Sequence, residues 1–533
     1  GLFGYAFAEV VPDFQRDKET KTMSLTLKVA DAPRVYVEAI NINGNTVTQD
    51  KVVRREFRLA EGDAFNSFQV KRSSDRIQSL GYFQEKLEIE QKPGSAPDRI
   101  ILEANVEEKS TGELQLSAGF SSLEKFILNA SIRQRNFRGK GQELRASVNY
   151  STYSKSLELG FTEPYLFDKN IALGGDIFRR DYNSFNFNGS QRQTTYQQLT
   201  TGFQFRVGVP LTEFWSLAGR AGVSVDNVTL DPTRFYFNGL CDPLLAGRYL
   251  CDSIGKRTTS SIGYSLVFDN LNNRIRPSAG QRMVLSQDFA GLGGSVKYVR
   301  TRLDATKYWK PFGNFIFSVG VEAGFIKAFG SSRGVGIDKV RLTDRFFLGE
   351  PEMRGFDIRG VGPRVKRFQY DTTSGKLITD INSVSDDALG GRAYYKSRAE
   401  LEIPLGTGAK ELGIRPSIFL DIGSVFGVTS PTLTTLANFR DTADGVIKAQ
   451  CRDTTTGTTV LTPIGTACAN GTSPLQPFEE QFLGDSWKPR LSVGFGFNWK
   501  SPFGPFRIDI AKALLKQPGD TTKLFTFNVG TQF

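Results

Sequence analysis

The residues that could carry covalent chemistry are few. The chain has 533 residues and no histidine. That removes Ser–His–Asp triads, histidine-ligated metals and histidine acid–base steps. The four cysteines fall as two local pairs, Cys241 with Cys251 and Cys451 with Cys468, both in polar, turn-rich stretches. Such pairs suit two disulfides in an oxidising compartment, or free loop thiols. No catalytic residue, metal ligand or cofactor is assigned, although composition alone leaves a Ser/Lys or Asp-based site open. The net charge of +11 calls for anionic neighbours or reflects solvated surface charge. Nucleic acid is not expected, because no aromatic–basic module is present. Lipid headgroups and lipopolysaccharide phosphates fit better.

The elements that must position these residues are strands. Phe (43) and Gly (54) are abundant and aromatics reach 12%, yet mean hydropathy is only −0.28. No apolar run reaches the roughly eighteen residues of a transmembrane helix. A lipid-embedded barrel alternates apolar and polar residues, so its mean hydropathy stays low. From Gly112 onward the period is two. Phe315, Phe317, Val319, Val321, Ala323 and Phe325 alternate with Ile316, Ser318, Gly320, Glu322 and Gly324. Phe203, Phe205 and Val207 do the same against Gln204, Arg206 and Gly208, as do Leu491–Trp499. Segmenting by this pattern gives about sixteen strands, an even number that suits a closed bacterial barrel. Three connections are long, Thr229–Arg257, Phe329–Ala393 and Gly427–Trp487, and both cysteine pairs lie within them. Long loops should face outward and short turns the periplasm. The expectation is a 16-stranded antiparallel transmembrane β-barrel over 111–533, with a lumen loop at about 329–393.

Residues 32–110 read as a small α/β domain in the order β-α-α-β-β. Arg34–Ile42 is an apolar strand closed by Asn43-Gly44-Asn45. Thr48 is expected to cap a helix and Ser67 a second one, which Gly81 stops. Strands follow near Tyr82–Gln91 and Arg99–Glu108. Gly4-Tyr5 and Leu25/Leu27/Val29 match Gly81-Tyr82 and Leu102/Ala104/Val106 at one constant offset. Residues 1–31 therefore read as the tail of a preceding copy. The opening Gly1-Leu2-Phe3-Gly4 shows no leader pattern, so a mature fragment or a piece of a longer chain is expected.

This unit, with its Asn-Gly-Asn turn and Leu80-Gly81-Tyr82-Phe83, resembles a POTRA domain. The run Phe346-Phe347-Leu348-Gly349-Glu350-Pro351-Glu352-Met353-Arg354-Gly355-Phe356 resembles the loop of the BamA superfamily that folds back into the barrel lumen. Met353 and Leu348-Gly349-Glu350 depart from the family's usual residues, while Arg354, Gly355 and Phe356 match. Ala399–Ile403 and Phe419–Gly423 resemble the family's next two strands. The resemblance implies that Glu402 and Asp421 receive Arg354, since a buried guanidinium needs carboxylates.

Residues 110–164 and Thr521–Phe533 resemble the family's first and last strands. Leu114 and Leu116 then lie at a seam facing a terminal strand that holds Gly530, where the family kinks, and ends at Phe533. The implied function is assembly of β-barrel proteins into the bacterial outer membrane by strand templating at that seam, with the POTRA domain in the periplasm. Implied partners are unfolded barrel clients and outer-membrane lipoproteins of an assembly complex. TamA-like or two-partner-secretion-type polypeptide translocation is the alternative. A passive porin would need no POTRA domain.

Overall fold

The computed structural model describes all residues except 1–9, 18–21, 30–33, 85–86, 88, 190, 274–276, 406–412, 502–503 and 530–533. Contacts divide the chain into two units: Gly1–Gln115 with Ser131–Ala146 and Gly160–Pro164, and the remainder.

In the first unit, Val10–Asp17 pairs with Thr22–Val29 as an antiparallel hairpin. The Gly4-Tyr5 end of the repeat lies outside the described residues. The α/β domain follows. Tyr36–Asn43 runs parallel to Arg99–Asn105, which pairs antiparallel with Ile89–Pro93. Helices Asp50–Arg54 and Ser67–Ser79 cover the sheet with Val52, Val53, Val70 and Ile77 buried. The sheet contributes Val37, Ile100 and Leu102, each with no exposed surface.

Two caps differ from expectation. Ser67 is the first residue of its helix, and Asn66 is the cap: its Oδ1 accepts from the amides of Phe68 (3.0 Å) and Gln69 (3.2 Å). Both residue types cap well, so extended backbone one position earlier decides. Thr48 is buried and caps nothing; Gln49 holds that position without a side-chain bond. The reason is Glu108. Its carboxylate accepts from Thr46 Oγ1 (2.6 Å) and from the amides of Val47 (2.8 Å) and Thr48 (2.6 Å), which commits this turn to the sheet's end. Gly81 has φ +71°, the left-handed conformation of a helix stop.

The barrel is closed and antiparallel, with sixteen wall strands. They are Gly112–Ser121, Lys125–Phe137, Gln142–Ser151, Ser154–Glu163, Ala172–Asn188, Gln191–Pro210, Trp215–Leu230, Gly255–Asp269, Gly280–Gly294, Tyr298–Trp309, Ile316–Ala328, Ala393–Glu402, Ile414–Phe426, Arg490–Ser501, Gly504–Leu515 and Phe525–Val529. Phe203, Phe205, Val321, Phe325 and Phe495 are exposed on the outer face, as lipid contact requires. The intervening residues build charged rungs on the other face, such as Arg206–Asp176 (2.5 Å) and Arg220–Asp288 (2.6 Å). No helix among the described residues is long and apolar enough to cross a membrane.

The long connections carry structure of their own. Arg364–Gln369 pairs with Ser385–Ala388 and with Phe478–Leu483. Ser385 and Asp386 in turn pair with Asn188 and Phe187, at the far end of the strand Ala172–Asn188. Cys241–Cys251 and Cys451–Cys468 form disulfides with Cα separations of 5.6 and 5.7 Å. Arg452, next to Cys451, pairs with the buried Asp242, next to Cys241, so the two stapled loops meet.

Burial works to raise the Glu108 carboxyl, but its bonds from Thr46, Thr48 and Val47 prevail and hold it at about 2, below an ordinary 4.5. A depressed acid stabilises the fold above its unfolded value and stops doing so as pH falls through the folded value. Glu108→Ala should therefore lower the melting point of the α/β domain fully above about pH 4.5 and progressively less towards about pH 2. A gap between variant and wild type that persists unchanged at the acid end would contradict this.

Candidate functional site in the barrel lumen

Arg354 lies in the connection that follows Ile316–Ala328, on a segment with no strand or helix. A glycine and two buried apolar side chains bring it to the wall. Gly355 has φ +85°, and an added Cβ there would sit 2.9 Å from Ser492 Cβ and 3.3 Å from Ala511 Cβ. Only glycine allows this approach. Met353 and Phe356 flank it with no exposed surface, in a cluster with Phe346, Leu348, Val361, Val425 and Tyr298.

The arginine is almost fully enclosed, at 2% exposure, and Asp421 is at 0%. Arg354 Nε and Nη2 donate to the two Asp421 oxygens at 2.8 and 2.7 Å, a bidentate fork. Its amide donates to the same carboxylate at 3.1 Å. Nη1 donates to Glu400 at 2.9 Å and stands 3.7 Å from Asp509. The guanidinium lies 3.3 Å from the centroid of Phe419, and Ser492 Oγ donates to the Arg354 carbonyl at 2.5 Å. Four consecutive wall strands, from Ala393–Glu402 to Gly504–Leu515, therefore grip one residue.

Glu400, not Glu402, is the second carboxylate. Both share the lumen parity, because they are two apart on one strand. Register separates them: Glu400 lies opposite Phe419 and Glu402 opposite Ser417, one pleat further from Asp421. Glu402 sits 3.6 Å from Arg415 instead. Sequence reading also misses Asp509, Arg398 and Arg507. Arg398 Nε donates to Asp421 at 3.2 Å, and Arg507 Nε to Asp509 at 2.7 Å. Their signal was available, since Arg398/Glu400 and Arg507/Asp509 repeat at period two on lumen faces. Three guanidiniums face three carboxylates, so the cluster is neutral.

The same loop touches the approach to the last strand. Phe356 bridges Thr522, the Lys523 amide donates to the Gly355 carbonyl at 3.2 Å, and Lys523 Nζ donates to Glu350 at 2.7 Å. The last strand pairs with the first only at Asn528↔Ser121 and Val529↔Phe120 among the described residues. Leu114 and Leu116 on the first strand are 68% and 72% exposed. Gly530 and Phe533 lie outside the described residues. No metal-holding group of His, Cys, Asp or Glu occurs among the described residues.

Removing Arg354 leaves buried carboxylates in excess, a loss of about 3–5 kcal/mol. Arg354→Ala and Glu400→Ala should both lower resistance to denaturant in detergent, while Glu402→Ala should stay within about 0.5 kcal/mol of wild type. Equal effects from Glu400→Ala and Glu402→Ala would overturn the assignment.

The family model described as the Omp85 superfamily domain matches residues 136–533, and the POTRA model, described as surface antigen variable number repeat, matches residues 35–109. An outer membrane protein assembly factor BamA from Neorickettsia risticii (strain Illinois) is 29% identical over 531 residues, covering 99% of this chain and 59% of that protein. One from Neisseria meningitidis serogroup B is 26% identical over 552 residues, covering 100% and 61%. The chain thus spans about three fifths of the length of these curated relatives. Among solved structures, BamA from Haemophilus ducreyi lacking POTRA domains 1-3 aligns with a TM-score of 0.71 at 23% identity, over 99% of this chain and 90% of that one. With the Omp85 model matching most of its length, the chain belongs to the Omp85 superfamily.

Proposed function

We propose that this chain folds and inserts β-barrel proteins into the bacterial outer membrane, using its seam as a template. The observation that carries the reading is the seam. From Ala172 to Leu515 each wall strand pairs with the next over ten or more residues. The first and last strands pair over two among the described residues. Backbone groups in a bilayer must find partners, and each unpaired one costs several kcal/mol. An edge whose described residues pair so little can take up an incoming strand, which then offers its own edge to the next hairpin.

In this reading Arg354 is a lock. It fixes the loop to the wall on the side next to the seam, with Asp421 and Glu400 as its receivers. Domain limits follow as 32–110 for the POTRA domain and 111–533 for the barrel, with the loop at about 329–393 and residues 1–31 as part of a preceding POTRA copy. The barrel lies in the outer membrane and the POTRA domain in the periplasm. Partners are unfolded barrel clients, outer-membrane lipoproteins of an assembly complex, and lipid with lipopolysaccharide, whose phosphates suit the net charge of +11.

The test is folding of an unfolded outer-membrane barrel into liposomes that contain this protein, read by heat-modifiable gel mobility. Acceleration should appear with the wild type and vanish when Ser121→Cys and Asn528→Cys are oxidised across the seam. Equal acceleration with the seam covalently closed would rule out templating there.

A further inference from the structure

The segment between Gly504–Leu515 and Phe525–Val529 has no strand or helix, yet it is firmly tied down. The Asp520 side chain is fully buried and takes Arg490 Nε at 2.9 Å and the Gln517 amide at 2.7 Å. Arg490 is equally buried. It also donates to Ser424 Oγ at 2.8 Å and to the carbonyls of Ser486 and Gly484 at 2.6 and 2.9 Å. Every arm of that guanidinium is satisfied. Removing the carboxylate would leave a buried cation facing only neutral acceptors.

The other side of the seam is held by a second arginine. Arg192, near the tip of the longest hairpin, donates Nη1 to the Leu123 carbonyl at 2.7 Å and Nη2 to the Ser122 carbonyl. Its guanidinium lies 4.6 Å from the Phe185 ring centroid. Ser122 is the turn residue directly after the first strand. Its hydroxyl donates to the Phe527 carbonyl at 3.2 Å and accepts the Phe527 amide at 3.4 Å. Both seam strands are thus pinned at their long-loop ends, beside the two residue pairs that join them among the described residues.

We propose that Arg490–Asp520 and Arg192 form a clamp that keeps the long-loop ends of the first and last strands in register, and that releasing either side opens the seam. The clamp is separate from the Arg354 cluster: its residues share no hydrogen bond with Glu400, Asp421 or Asp509 among those described. It rests on the assembly reading only for what an open seam is used for. Arg490, Asp520 and Arg192 are positioning residues. They act through backbone carbonyls and the loop.

The experiment traps the seam as a disulfide between Ser121→Cys and Asn528→Cys in the full chain in liposomes, and times the cross-link. A second pair, Val209→Cys with Leu217→Cys, sits opposite on two strands away from the seam and serves as control. Asp520→Asn, which keeps shape and removes charge, should slow seam trapping about tenfold, as expected for loss of a charged hydrogen bond. Arg192→Gln should do the same from the other side, and it carries the test if Asp520→Asn does not fold. Asp520→Glu should restore near wild-type trapping, and the control pair should not change. Unchanged trapping in both Asp520→Asn and Arg192→Gln, no rescue by Asp520→Glu, or equal slowing of the control pair would overturn the clamp. Client insertion is read on the same liposomes. If no sample, wild type included, inserts a client while the trapping pattern holds, the assembly reading falls and the clamp stands.

Discussion

A guanidinium drawn out of water must be neutralised where it lands, and Arg354 sets that condition for the barrel interior. Its charge requires Asp421 and Glu400 on neighbouring strands, and those acids face Arg398 and Arg507. Asp509 completes the balance. A charged residue on a lumen face is ordinary, but six of them interlocked and sheltered require a defined register across four strands. Slipping one strand by a single residue would turn its acid towards lipid.

Because the Arg354 loop also holds residues 521–523, the consequences reach the seam. The final strand is short among the described residues and pairs with the preceding strand at only five positions. Among the described residues, the last strand's ladder is shorter than those between Ala172 and Leu515. Side chains from loops supply what the ladder does not: Lys523 to Glu350, and Arg364 to Thr521 at 3.0 Å. Residues 521–523, which lead into the last strand, are thus tied by side chains as well as by backbone.

Much of this was legible in the sequence. Period-two alternation locates the wall strands, because one face meets lipid and the other water. Alternation does not fix where a strand ends, and a strand can run on for a tertiary reason, as Ala172–Asn188 does to meet Ser385–Asp386. Parity places Asp421 and both Glu400 and Glu402 on the lumen face, but it carries no depth. The choice between the two glutamates needed cross-strand register. Thr48 and Ser67 were reasonable caps by residue type, and a distant carboxylate on Glu108 and a neighbouring Asn66 took those roles. Arg490 and Asp520 were invisible, since thirty residues separate them and neither lies in a recognisable motif.

If the Arg354 cluster organises the lumen, it must hold both its own loop and the approach to the last strand. Hydrogen exchange on the wild type and on Asp421→Asn, in the same bilayer, measures both at once. Protection should be lost jointly at Gly360, Thr521 and Lys523, whose amides or carbonyls tie the two segments, with Ala218–Val228 unchanged. Protection that survives at Thr521 and Lys523 in that variant would contradict it.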